Sequence, residues 1–128
     1  MNKRIIITAS VFGIVAVILG AFGAHGLKKL VDPADLEAWN TAVEYQFYHT
    51  LALLFLSTFS RFRSRAINAA SWFFTFGILF FSGSLYLLSL KDVLNISKIS
   101  VIGPITPFGG LLLILGWISL LVATLKNK

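Results

Sequence analysis

Apolar residues run in four long stretches, 5–27, 45–60, 66–90 and 99–125, and the unusual residues gather at one end of each. Three stretches exceed 20 residues, and a helix needs about 20 to cross a hydrocarbon layer roughly 30 Å thick. The second begins just after Glu44, which fits an interface from which the helix extends upstream. The pattern predicts helices over 5–27, 42–60, 66–90 and 105–125. An interfacial helix over 33–42 either bends into the second of these or runs on continuously. The expected fold is all-α, a polytopic four-transmembrane-helix bundle forming a single domain over 1–128.

Local signals sharpen this picture. In the first helix Ala9, Gly13, Ala16, Gly20 and Gly23 recur at three- and four-residue intervals, so one face admits a close neighbour. Asp32-Pro33-Ala34-Asp35 marks a helix start, with an N-cap carboxylate, proline in the first turn and a second acid near the positive helix end. Trp39 and Tyr45 suit the headgroup boundary, where a ring is buried and its polar atom stays wet. Arg61-Phe62-Arg63-Ser64-Arg65 makes a tight basic turn that anchors topology. The third helix offers Ala70, Gly77 and Ser84 on one face for close packing, and Thr75, Ser82, Tyr86 and Ser89 as a mildly polar stripe on the other. Pro104 and Pro107 bracket the start of the last helix, and Gly109, Gly110 and Gly116 keep it slim.

Composition fits a membrane chain: 57% of residues are hydrophobic and 12% charged, too few charges for a soluble domain of ordinary kind. Lys3 and Arg4 ahead of an apolar run resemble a secretion signal, but the run is long and lacks a small-x-small cleavage site, so it is read as a retained helix. The net charge of +6 reflects topology and not a nucleic-acid groove, because no basic helix or basic–aromatic stripe accompanies it. With both termini cytoplasmic, the inner segments carry Lys3, Arg4, Arg61, Arg63, Arg65, Lys126 and Lys128. The outer ones carry Lys28, Lys29, Lys91 and Lys98, and seven against four obeys the positive-inside rule. Zero cysteines exclude disulfides, thiolate metal sites and cysteine nucleophiles.

Four crossings would bring His25, Glu44, Tyr45, Tyr48, His49, Ser82, Ser84, Tyr86 and Thr106 near the outer surface as a semi-polar cluster. Glu44 stands out, since a carboxylate near a membrane must be wet, paired or protonated. Helical spacing suggests an inward face running from Glu44 through Tyr48 to Ala52, with His49 at its margin. Glu44 and His49 are five residues apart and cannot share an ion without another segment such as His25. Neither His-x-x-x-His nor His-Glu-x-x-His occurs, so no metal or other cofactor is expected. Histidines bonded across helices to backbone or tyrosine groups are the simpler reading. No Gly-x-Ser-x-Gly elbow or Walker A loop is present, and no catalytic residue is assigned.

Four motifs carry a family resemblance: Gly20-Ala21-Phe22-Gly23-Ala24-His25-Gly26, Tyr45-Gln46-Phe47-Tyr48-His49, Phe81-Ser82-Gly83-Ser84-Leu85-Tyr86 and Gly103-Pro104-Ile105-Thr106-Pro107-Phe108-Gly109-Gly110. In this order they resemble the DUF423 family, related to the eukaryotic transmembrane protein 256 group. The resemblance implies a small multi-pass protein of the bacterial cell membrane and carries no catalytic roles. The leading functional expectation is a non-enzymatic module whose polar cluster binds a lipid or small polar ligand, or docks a membrane partner. Its expected partners are membrane lipids and either a second copy or another membrane protein. Proton or small-solute transport by an oligomer, and a membrane-embedded hydrolase or lipid-modifying enzyme using His49 or His25 as base, are the alternatives.

Overall fold

The computed structural model describes residues 2–59 and 64–126. Four long helices, α1 (Lys3–Ala24), α2 (Pro33–Ser57), α3 (Arg65–Ser89) and α5 (Ile105–Lys126), are joined by short connections, one holding the single-turn α4 (Ile99–Ile102). Arg61, Phe62 and Arg63 of the expected basic turn lie outside the described residues, as do Ser60 and Lys128.

Each of the first three long helices starts on a side-chain cap. Asn2 accepts from the Ile5 amide, Asp32 from the Asp35 amide with Pro33 in the first turn, and Ser64 from the Ala66 amide. These bonds satisfy donors that an α-helix leaves free at its N-terminus. From Pro33 to Ser57 no further proline and no glycine interrupts the chain, so the expected interfacial segment and second helix form one unbroken rod. At 1.5 Å per residue that rod is about 37 Å long.

Neighbouring long helices pack in chain order: α1 on α2, α2 on α3, and α3 on α5, the last pair making the most extensive contact. The small residues of α1 face α2. Ala9, Ala16 and Gly23 are buried, Val43 lies over Gly20 and Thr50 over Gly13. Ala70 and Gly77 do the same for α3 against α5, where Leu113 fills the space that a Gly77 side chain would occupy. Phe74, Leu53, Leu56 and Ile78 complete the core. Large apolar residues elsewhere, such as Ile14, Ile18, Leu79 and Leu121, point outward.

Three helical segments, Lys3–Lys29, Arg65–Ser89 and Ile99–Lys126, are long and apolar enough to cross a membrane. The architecture is therefore all-α and polytopic, with α2 as the most polar of its long helices.

Candidate functional site

The inward face of α2 carries Trp39, Ala42, Gln46, His49, Thr50, Leu53 and Leu56. Glu44 and Tyr48 are exposed on its back, which corrects the expected inward face; only Ala52 of that trio is buried. The bulky apolar residues among those seven fix the rotation of the helix, and a carboxylate has no vote when its own chain offers it no partner.

Gln46 lies at the junction of three helices. Its amide nitrogen donates to the Phe12 carbonyl of α1 at 2.8 Å, and its amide oxygen accepts from the Tyr86 hydroxyl of α3 at 2.6 Å. About two turns toward the start of α2, the Trp39 indole N–H donates to the Leu19 carbonyl at 2.9 Å, and its ring meets Tyr86 and Phe22 edge-on. Trp39 is thus buried between helices, with its polar atom bonded to protein and not left wet. Gly23 explains why: a Cβ there would stand 2.6 Å from the indole, so only glycine leaves the ring room against α1. Ser82 donates to the Ala42 carbonyl at 2.7 Å and ties α3 to the same face.

His49 belongs to a second junction, between α2 and α5. The Trp117 indole, which can only donate, points at His49 Nε2 at 3.0 Å. Nε2 must therefore be an acceptor, and Nδ1 carries the proton and donates to the Tyr45 carbonyl at 2.7 Å. The ring is the neutral Nδ1–H tautomer with both nitrogens engaged, flanked by Phe74 and Tyr45. A ring held this way has no free lone pair with which to bind a metal or accept a substrate proton. Ser84 and Thr106 form a third link, hydroxyl to hydroxyl at 2.5 Å between α3 and α5.

The remaining expected members stand apart. His25 caps the end of α1 and is exposed, and the Tyr45 ring lies tilted against Phe81 at the margin of the inward face. The nine residues thus divide into three helix-to-helix links and an outward-facing group, and they do not converge on one pocket. Among the described residues, no buried side-chain nitrogen or oxygen lacks a hydrogen-bond partner. Sequence reasoning passed over Gln46 and Trp117. The available signal for Gln46 was an amide deep in an apolar run, which must find a partner.

Beyond the apolar span, Lys91 pairs with Asp35 at 2.5 Å, and Asp32, Asp35 and Asp92 bring a carboxylate oxygen each within 4.8 Å of one another. Asp35 is already committed to Lys91, which keeps the group a charge-paired clasp between the start of α2 and the end of α3. At the opposite end Arg4 donates to Asn68 and Ser71 and lies over the Trp72 ring at 4.3 Å, tying α1 to α3.

The chain also matches known sequences. A family model described as a protein of unknown function, DUF423, matches residues 19–110. The chain belongs to the DUF423 family. It is similar to the UPF0382 membrane protein SAB0533 of Staphylococcus aureus, 46% identical over 124 residues that cover 97% of both chains. It is 40% identical over 126 residues to the UPF0382 membrane protein YwdK of Bacillus subtilis, covering 97% of this chain and 98% of the relative. No solved structure matches it. As a DUF423 member it is a small bacterial membrane protein with several membrane-spanning helices.

Proposed function

We propose that this DUF423 protein is a non-enzymatic membrane module with four membrane-crossing helices and both termini cytoplasmic, and that it recognises its ligand or partner on the outer back of α2. The fourth crossing is supported by the packing of α2, which lies along α1 from the Asn2–Ser57 backbone bond at one end to Trp39–Leu19 near the other. A rod clamped along a spanning helix shares its depth. The orientation rests on the positive-inside count given above.

Glu44 is the observation that carries the functional reading. Val43 over Gly20 and Thr50 over Gly13 set Glu44 level with the stretch of α1 between those glycines, within the apolar run. It lies about 20 Å from the Ser57 end of α2 and about 16 Å from Pro33. It is exposed there and has no hydrogen-bond or ion-pair partner among the described residues. A charged side chain at the centre of a spanning helix costs about 3 kcal/mol by insertion scales. That cost is offset when an external group answers the carboxyl, which makes the exposed Glu44 a recognition element. The internal links at Gln46, His49 and Ser84 serve the fold, because their polar atoms are already paired.

Native mass spectrometry of gently isolated wild type and Glu44→Leu tests this. The reading expects a lipid, a small polar ligand or an additional subunit retained by wild type and lost from the variant. Identical spectra with nothing retained would overturn it. Transport has a narrower support in the same residue, since a carboxyl at this depth can carry a proton. It expects flux in reconstituted vesicles that Glu44→Gln abolishes.

A further inference from the structure

The back of α2 presents more than one carboxyl. Glu37, Thr41, Glu44, Tyr48, Leu51 and Phe55 recur at alternating four- and three-residue steps, the spacing of a left-handed helix–helix seam. All but the half-buried Thr41 are exposed, and the seam lies opposite the face that meets α1 and α3. No helix of the described chain covers it. The small-residue stripe of α1, the other surface suited to close helix contact, is already occupied by α2.

From this we infer that the seam is covered by a second copy of the chain, α2 against α2, with Tyr48 of each copy donating to Glu44 of the other. This rests on the recognition role given to Glu44 above and names its partner. The argument is complementarity. The seam carries an unpartnered acceptor at Glu44 and an unpartnered donor at Tyr48 one turn away. Two copies inserted in the same direction meet about a two-fold axis along the membrane normal, which sets each Tyr48 about 6 Å along the axis from the other copy's Glu44, on its C-terminal side. Helical side chains lean toward the helix N-terminus, which lifts the longer Tyr48 side chain toward Glu44. Below this polar level Leu51 and Phe55 supply the apolar half of the contact, at the small crossing angle common in membrane bundles.

Because the chain has no cysteine, single replacements report contacts cleanly. Leu51→Cys lies on the seam. Ile14→Cys lies on the outward face of α1, similarly exposed and at nearly the same depth. Both full-length variants are oxidised in lipid vesicles at low protein-to-lipid ratio, and the rate of covalent dimer formation is measured. The seam expects Leu51→Cys to cross-link roughly tenfold faster than Ile14→Cys, the ratio expected of interhelical hydrogen bonds of the usual strength. Adding Glu44→Leu should bring that rate down to the Ile14→Cys level, while Glu44→Gln retains it. Equal rates at the two positions, or a Leu51→Cys rate indifferent to Glu44→Leu, overturn the second copy as partner. If a lipid or foreign subunit is still lost from Glu44→Leu in the mass spectrum, recognition by Glu44 stands and only the self-pairing falls.

Discussion

Gly109→Ala tests how tightly α3 and α5 are joined. A Cβ built on Gly109 meets the Phe81 backbone nitrogen, and lies 2.7 Å from both the Phe80 carbonyl carbon and the Phe81 Cα. These are backbone atoms of α3, so no rotamer change relieves the overlap and the two helices must part locally. Parting them separates Gly116 from the Phe74 ring and Gly77 from Leu113, contacts made at the same seam. Dispersion contacts fall off within an ångström of separation, and overpacking of this kind costs about 1–3 kcal/mol. Alanine's better helix propensity returns up to about 1 kcal/mol, which leaves a net loss. Gly83→Ala is the control, because nothing lies within 4 Å of a Cβ there. Unfolding in graded SDS and lipid detergent mixtures, followed by circular dichroism, measures both. Gly109→Ala should unfold at lower SDS and Gly83→Ala at or above wild type. A Gly109→Ala curve that overlays wild type would refute the close approach of α3 and α5.

Trp117→Phe should destabilise the fold by about 1 kcal/mol, near the range measured for interhelical hydrogen bonds. The same change made in a His49→Ala background should cost less, and a double-mutant cycle with no coupling would count against the indole–imidazole bond. Gln46→Leu removes both the Phe12 and Tyr86 links and leaves the Tyr86 hydroxyl without its partner, a loss of about 1–3 kcal/mol. Tyr86→Phe should recover part of that loss, and the same SDS titration shows whether it does. Lys91 has its pKa raised above the ordinary 10.5, chiefly by its side-chain hydrogen bond to Asp35. A base held above its unfolded value stabilises the protein fully below that value, and the effect disappears as the pH climbs through the folded-state pKa. Wild type should therefore lose stability above about pH 10.5 more steeply than Lys91→Met, and parallel pH profiles would refute the pairing.

The positions of the long helices were legible because apolar runs of membrane length, an Asp-Pro start and paired prolines each have a local physical cause. The rotation of α2 was not. In a soluble helix the polar residues mark the outer face, but here lipid and core are both apolar and periodicity says little about either. Glu44 looked inward on the argument that a carboxylate avoids lipid, whereas packing of Trp39, Gln46 and Leu53 decided the matter. The bond between His49 and Trp117 joins residues 68 positions apart, and no spacing rule reaches that far. The outer polar cluster had the right ingredients in the wrong assembly. Ser84 and Thr106 do pair with each other, but Ser82 and Tyr86 bond instead to Ala42 and Gln46 of α2.

The packing order of the helices also sets a timetable for biogenesis. Domains and segments emerge from the ribosome N-terminus first, and α1 finds its main neighbour in α2, so this first hairpin can close early. Two of its groups then wait. The Gln46 amide oxygen takes its hydrogen bond from a residue 40 positions downstream, and Arg4 is answered by Asn68 and Ser71 at the start of α3. Until α3 is inserted, the half-made protein carries an amide oxygen and a guanidinium that lack the partners they have in the finished one. Those two unpaired groups are a chemical difference between an incomplete chain and a finished one.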